Sequence, residues 1–78
     1  MPIYLYQWLD ENIEHVEEHG VTPEEFEAIV NRPLRKEVSN SSDRFIVFGY
    51  GDDGRELACV YEMLDADTVY PITAYEVE

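Results

Sequence analysis

The hydrophobic positions of the chain follow a helical period in the first third and alternate along much of the rest. Leu9, Ile13 and Val16 recur at helical spacing with acidic residues on the remaining arc, which predicts an amphipathic helix of about three turns. Gly20 suits the left-handed position that ends such a helix. The preceding segment 3–8 is rich in strand-forming residues, so it is either a short edge strand or a hydrophobic lead-in.

The segment 22–25 has the pattern of a second helix start. Thr22 can cap the helix, Pro23 suits its first position, and Glu25 can close a reciprocal capping box with Thr22. Pro33 disfavours helical geometry in the residue before it, so this helix must end by residues 31–32. Its buried stripe is predicted to consist of three apolar residues, Phe26, Ile29 and Val30.

The remainder of the chain is predicted to be antiparallel β structure. Strands are expected at 34–38, 45–50, 57–63 and 69–75, with a polar loop over 39–43 and turn residues at 51–54. Pro71 cannot donate a ladder hydrogen bond, so the last strand either lies at an edge or contains a bulge. Helices followed by strands indicate one α+β domain over 1–78, with two N-terminal helices packed on a three- to four-stranded antiparallel sheet.

Charge and composition narrow the classes of function. The chain is 45% hydrophobic, too apolar for a disordered protein despite its net charge of −13. All five basic residues fall within 32–55. The charge argues against a nucleic-acid partner and favours either a basic partner or simply solubility. No apolar run approaches the roughly 18 residues of a membrane span, and there is no leader pattern, so a cytoplasmic protein with no membrane contact is expected.

Short motifs spread along nearly the whole chain carry a family resemblance. They are Trp8-Leu9-Asp10-Glu11-Asn12, His15, Glu18-His19-Gly20-Val21-Thr22-Pro23-Glu24-Glu25, Asn31-Arg32-Pro33, Arg44-Phe45-Ile46-Val47-Phe48-Gly49, Gly54-Arg55-Glu56-Leu57 and Ile72-Thr73-Ala74. In this order they resemble the BrnT group of the RelE-type toxin superfamily. The resemblance implies a compact domain that cleaves RNA as the toxin of a toxin–antitoxin pair.

The chain departs from that family where the nuclease chemistry should lie. BrnT-like proteins usually have Arg beside the last-strand motif and a basic C-terminal helix, whereas here the flanks are Pro71 and Tyr75 and no Lys or Arg follows Arg55. Each lost oxyanion-stabilising group typically costs about 3–4 kcal/mol of transition-state stabilisation. We therefore expect no catalytic residues and a non-catalytic protein-interaction domain on a BrnT/RelE-like scaffold. The alternative is a small ribonuclease toxin of a type II toxin–antitoxin system.

Basic residues in the middle of the chain are the only candidates for anion contacts. They are Arg35, Lys36, Arg44 and Arg55. In a meander, Arg44 and Arg55 begin neighbouring strands from opposite ends, so they need not be close. The alternative is that each cation pairs with local acids, which outnumber the basic residues by 18 to 5.

The remaining candidate side chains are those of the two histidines, the single cysteine and the aromatic residues. His15 and His19 have the spacing of a metal-binding pair but lack the rest of a motif, so no metal or cofactor is predicted. Cys59 is predicted to be a small core residue rather than a nucleophile. Six tyrosines and one tryptophan are many for this length, and they either complete the core or form an interface. Trp8 and Tyr75 are the candidate interface residues, for a protein partner or for self-association.

Overall fold

Two helices precede four strands, and a two-residue strand comes before both helices. The computed structural model describes residues 4–38 and 44–77. The predicted polar loop over 39–43 lies outside the described residues, as does the first residue of the 3–8 segment. The elements in chain order are β1 (Leu5–Tyr6), α1 (Asp10–Glu18), α2 (Pro23–Asn31), β2 (Arg35–Val38), β3 (Arg44–Tyr50), β4 (Glu56–Met63) and β5 (Thr68–Glu76).

The strands form one five-stranded sheet in the order β1-β5-β4-β3-β2. Strands β2 to β5 pair antiparallel, whereas β1 pairs parallel with β5. The predicted α+β class and the packing of helices on a sheet are confirmed, but the count of three or four strands and the purely antiparallel pairing are wrong. The difference arises at the lead-in, where Leu5 N donates to Asp67 O (2.8 Å) and Gln7 N donates to Val69 O (2.9 Å).

Pro71 lies in an interior strand that contains a bulge. Val60 pairs with Thr73 and Tyr61 pairs with Pro71, so Ile72 is an extra residue in β5. The predicted bulge is confirmed. Strand β1 pairs with β5 only at residues 68 and 69. Pro71 lies beyond the end of β1, so no ladder hydrogen bond to β1 is needed from it, and proline is compatible with this interior strand.

Helix α1 buries a different set of residues from the predicted stripe. Val16 is fully buried and Ile13 is half-buried, but Leu9 is 45% exposed and precedes the helix. The prediction for Leu9 is therefore wrong. Asn12 is buried instead, because its side-chain oxygen accepts from Leu9 N (2.6 Å) while its amide donates to Gln7 O (2.9 Å) and Pro71 O (3.0 Å). A polar residue can be buried here because these groups satisfy its hydrogen bonds.

The turn between the helices and the start of α2 confirm the predicted signals. Gly20 has a φ of +79° and its N–H donates to Glu17 O (2.9 Å), the conformation that favours glycine after a helix. Glu25 N donates to the Thr22 hydroxyl (3.1 Å), and Thr22 N donates to the Glu25 carboxylate (3.0 Å). Helix α2 ends at Asn31, as expected before Pro33.

Both helices lie on one face of the sheet, which we call the inner face. Helix α1 packs mainly on β5, while α2 packs on β3 and β4. The buried core lies between these layers and is made of Val16, Val21, Phe26, Ile29, Val30, Val47, Leu57, Cys59, Tyr61, Val69 and Ala74. Since side chains alternate along a strand, the residues between these core positions point to the opposite, outer face.

Candidate functional site

The outer face of the sheet has an apolar centre with aromatic side chains around it. Residues directly opposite one another on neighbouring strands share a face, so the register defines its cross-strand rows. The rows are Arg35, Phe48, Ala58 and Tyr75; Glu37, Ile46, Val60 and Thr73; Arg44, Glu62 and Tyr70; and Tyr50 with Glu56. Within residues 4–38 and 44–77, both helices pack on the other side, so no helix covers this outer face.

Exposure varies across the outer face. Tyr75 is 40% exposed and Tyr50 is 62% exposed, whereas Phe48 is only 8% exposed. Phe48 is partly covered from within the chain, because the Arg35 guanidinium lies 4.1 Å from the centre of its ring, a distance typical of a cation–π interaction. The aromatic rings at the edge of the face are therefore the ones that a partner could reach.

Trp8 and Tyr75, the two predicted interface residues, lie in different layers. The Trp8 indole N–H donates to the Glu27 carboxylate (2.7 Å), and its ring meets Phe26 edge to face with centroids 5.4 Å apart. Trp8 thereby joins the lead-in to α2 and packs against the core. Tyr75 lies on the outer face. The structure does not bring these two residues together.

The four candidate anion-binding residues are distributed over the sheet. Arg44 and Arg55 lie at opposite ends of the β3–β4 hairpin, roughly 20 Å apart by strand geometry. Arg35 and Lys36 are neighbours on β2 and point to opposite faces, where they lie over Phe48 and Phe45 respectively. The four side chains therefore do not converge on one anion-binding concavity.

Two of these cations have acidic partners within the chain. The Arg44 guanidinium is 3.2 Å from the Glu62 carboxylate. Arg55 lies against the carboxylate of Asp53, is 3.8 Å from Glu76, and donates to Gly20 O (2.9 Å). Arg55 thus links the helix–helix turn to the β3–β4 turn and to β5, which is a structural role.

Glu25 joins the start of α2 to the β3–β4 turn, and only its contact within α2 could be predicted from the sequence. One carboxylate oxygen closes the capping box on Thr22, while the other accepts from Asp52 N (2.8 Å) in the β3–β4 turn. Hydrogen bonds from these two backbone N–H groups hold the pKa of Glu25 below its usual value, against the opposing effect of burial. The capping-box pattern signalled the first contact, but no local pattern could signal the second, since the two residues are 27 positions apart.

The histidines and the cysteine do not form a reactive site. His15 and His19 are both exposed, and the depression beside His15 is lined otherwise by Glu14, Glu17 and Glu18. No group of three or more His, Cys, Asp or Glu side chains in the described part of the chain could hold a metal ion. Cys59 lies in the core as predicted. Burial, together with the nearby Glu25 charge, raises the pKa of its thiol to about 12, which disfavours the nucleophilic thiolate.

Comparisons of the chain with protein-family profiles, with curated proteins and with solved structures found no match. Among the described residues, no helix is both long enough and apolar enough to cross a membrane.

Proposed function

We propose that this chain is a non-catalytic protein-interaction domain, built on a BrnT/RelE-like scaffold, that binds its partner through the outer face of the sheet. The observation that carries the proposal is the edge of that face, where exposed aromatic rings flank an apolar centre that neither helix covers. Tyr75 and Tyr50 contribute exposed aromatic rings to it. Tyrosine is enriched at protein interfaces because its ring is large and its hydroxyl can form a hydrogen bond.

The electrostatics support a protein ligand rather than a nucleic acid. Arg44 on the outer face is paired with Glu62, while Arg55 is held among backbone and carboxylate groups. A phosphate would have to compete with these partners and with the field of a chain of net charge −13. Burial of apolar surface, at about 25 cal/mol per Å², needs no such competition.

Site-specific photo-crosslinking in cells tests this proposal. A photoreactive phenylalanine analogue is placed at Tyr75 on the outer face, and the matched control places it at Ala28, an exposed residue of α2. We expect a discrete adduct from position 75 but not from position 28, and we expect that adduct to be lost when Val60→Lys puts a charge beside the probe. Val60 and Thr73 form the row next to that of Tyr75.

Two results would overturn the proposal. One is the absence of any adduct from position 75 while the variant remains folded by circular dichroism. The other is the same adducts from positions 75 and 28, since these would reflect non-specific encounters. Ribonuclease activity of the purified chain would instead favour the toxin function implied by the family resemblance.

A further inference from the structure

Strand β2, which lies at one edge of the sheet, has a sequence that is complementary to that of a second, antiparallel copy. Strand β2 ends the sheet order, and all four of its residues, Arg35–Val38, are exposed. Leu34 just before it is 65% exposed and Val38 at its end is 59% exposed. An edge strand with unpaired backbone groups is a template for pairing with another strand.

The hydrogen-bond alternation shows which backbone groups of β2 point outward. Along an antiparallel strand, the N–H and C=O groups of successive residues point alternately to the two neighbouring strands. Because Gly51 N donates to Arg55 O (2.8 Å), the backbone groups of the odd-numbered residues of β3 point to β4 and those of the even-numbered residues point to β2. Their partners on β2 are Arg35 and Glu37. The N–H and C=O groups of Lys36 and Val38 therefore point away from the sheet.

Two-fold symmetry limits how two β2 strands can pair. A two-fold axis perpendicular to the sheet keeps the helices of both copies on the same side of the joined sheet. The residue of β2 nearest this axis then lies directly opposite the same residue of the second copy. Centring on Arg35, on Lys36 or on Glu37 places that charged residue opposite its own copy, so each of these three registers contains one like-charge pair. Of the three, only the register centred on Lys36 also places Arg35 opposite Glu37 of the second copy, and it does so twice.

We propose that two copies of the chain associate through antiparallel pairing of β2 with β2, centred on Lys36, to form one continuous ten-stranded sheet. The Arg35–Glu37 pairs lie on the outer face. The outward backbone groups of Lys36 bond to those of its copy. The Lys36 ammonium already lies 4.5 Å from the centre of its own Phe45 ring, an attraction that offsets part of the repulsion between the two lysines.

A charge exchange tests both the interface and its register. Arg35→Glu alone, or Glu37→Arg alone, places like charges opposite each other twice, and we expect either change to weaken the dimer roughly tenfold, since charged cross-strand pairs contribute modestly each. The double variant restores opposite charges and should dimerise like the wild type. An equimolar mixture of the two single variants should form a heterodimer, measured by sedimentation equilibrium.

Cysteine crosslinking provides a second measurement that does not depend on affinity. In the proposed register, the Cα atoms of residue 36 in the two copies lie about 5.5 Å apart, which permits a disulfide. Lys36→Cys should therefore form a disulfide dimer on mild oxidation, whereas the control Val38→Cys, offset by four residues from its own copy, should not. Cys59 is buried and does not compete.

The outcomes separate this proposal from the proposed function. A wild-type chain that stays monomeric at millimolar concentration, single variants that dimerise as well as the wild type, or equal crosslinking of the two cysteine variants would each overturn it. Tyr75→Ala is expected to leave the dimer intact because Tyr75 lies on β5, three strands away from β2 in the sheet order. Loss of partner adducts without loss of the dimer would contradict only the outer-face proposal.

Discussion

At the scale of single residues, Gly51 illustrates how closely the β3–β4 turn approaches α2. A Cβ atom at this position would lie 2.5 Å from a Glu25 carboxylate oxygen and 2.9 Å from a Leu57 methyl carbon. The carboxylate is held by two backbone N–H groups, and Leu57 is fully buried, so neither neighbour can move freely.

We therefore expect Gly51→Ala to lower the free energy of unfolding by about 1–3 kcal/mol, the usual cost of forcing extra volume into a packed site. Asp52→Ala is the control, since it keeps the backbone N–H that Glu25 binds and removes only an exposed side chain. Urea unfolding followed by circular dichroism measures both variants. Equal stability of Gly51→Ala and the wild type would contradict the described packing.

Glu25 itself makes stability depend on pH. Its folded pKa is lowered by the hydrogen bonds from the Thr22 and Asp52 N–H groups, so ionised Glu25 stabilises the fold above the unfolded pKa of about 4.3. This contribution is lost as pH falls through the lowered folded pKa. Removing one partner of such a charge-assisted hydrogen bond typically costs about 1–3 kcal/mol.

The corresponding prediction is that Glu25→Gln destabilises the protein by about 1–2 kcal/mol at pH 7 and by much less at pH values below the lowered pKa. Glu24→Gln, on the exposed side of the same helical turn, is the matched control. Urea unfolding of the three proteins across a pH series is the measurement. A deficit of Glu25→Gln that stays constant into acid would show that its charge is not responsible.

At the scale of elements, α1 is attached to the sheet by a polar side chain. Asn12 joins the start of α1, the lead-in at Gln7 and the bulged part of β5 at Pro71. We expect Asn12→Ala to cost about 2–3 kcal/mol, because it leaves buried backbone groups without partners. Glu11→Ala, a neighbouring exposed residue, is the control.

Thermal unfolding of the two variants measures this difference. Hydrogen exchange should localise the effect of Asn12→Ala to α1 and to the β1–β5 pairing, since these are the elements that Asn12 connects. Uniform loss of protection over the whole sheet, with no excess at α1, would contradict this role.

The elements also show what the sequence could predict and where it could not. Both helices, the glycine between them and the capping box follow from local signals at Gly20, Thr22 and Glu25, because each acts within one turn of helix. The parallel pairing of β1 has no local signal, since it depends on a contact between Leu5 and Thr68. The exposure of Leu9 and burial of Asn12 reverse the hydrophobic pattern, because the Asn12 amide bonds to Leu9, Gln7 and Pro71, and Pro71 is 59 positions away in sequence.

In the candidate site, too, some features could be predicted from the sequence and others could not. The sequence made Tyr75 a candidate interface residue, which stays a prediction. It also indicated that Arg44 and Arg55 begin neighbouring strands from opposite ends, which the hairpin confirms. It could not tell that Trp8 packs on Phe26, because that contact depends on how the lead-in crosses α2. It also could not show that Arg35 covers Phe48, which requires the register of β2 on β3.

At the scale of the whole molecule, the scattered cations predict that the purified protein lacks appreciable ribonuclease activity. Arg55→Ala should lower stability by about 1 kcal/mol through the lost contact with Gly20 O. Arg44→Ala removes an exposed ion pair and should change stability less. Gel analysis of single-stranded RNA, together with urea unfolding, measures these effects. Robust cleavage that disappears in either variant would contradict the prediction and favour the toxin function.

The net charge of −13 governs how association responds to salt. Two copies that approach one another bring together a large excess of negative charge, and salt screens that repulsion beyond a Debye length of roughly 8 Å at physiological ionic strength. The attractive terms act at shorter range, since they are backbone hydrogen bonds, aromatic contacts and the two directly opposed Arg35–Glu37 pairs. Association of the chain, with itself or through the outer face, should therefore persist or strengthen as salt rises.

Sedimentation velocity across a salt series tests this prediction with three proteins. Wild-type chain should associate more tightly as sodium chloride increases. Arg35→Glu makes the net charge of each copy more negative by two and should respond more steeply, because it begins with more repulsion to screen. Tyr75→Ala keeps the charge and should follow the wild-type salt dependence. Trp8→Ala is unsuitable, because Trp8 packs against Phe26 and the core. Association that weakens steadily with salt would mean that attraction between opposite charges dominates the interface, which contradicts the expected balance.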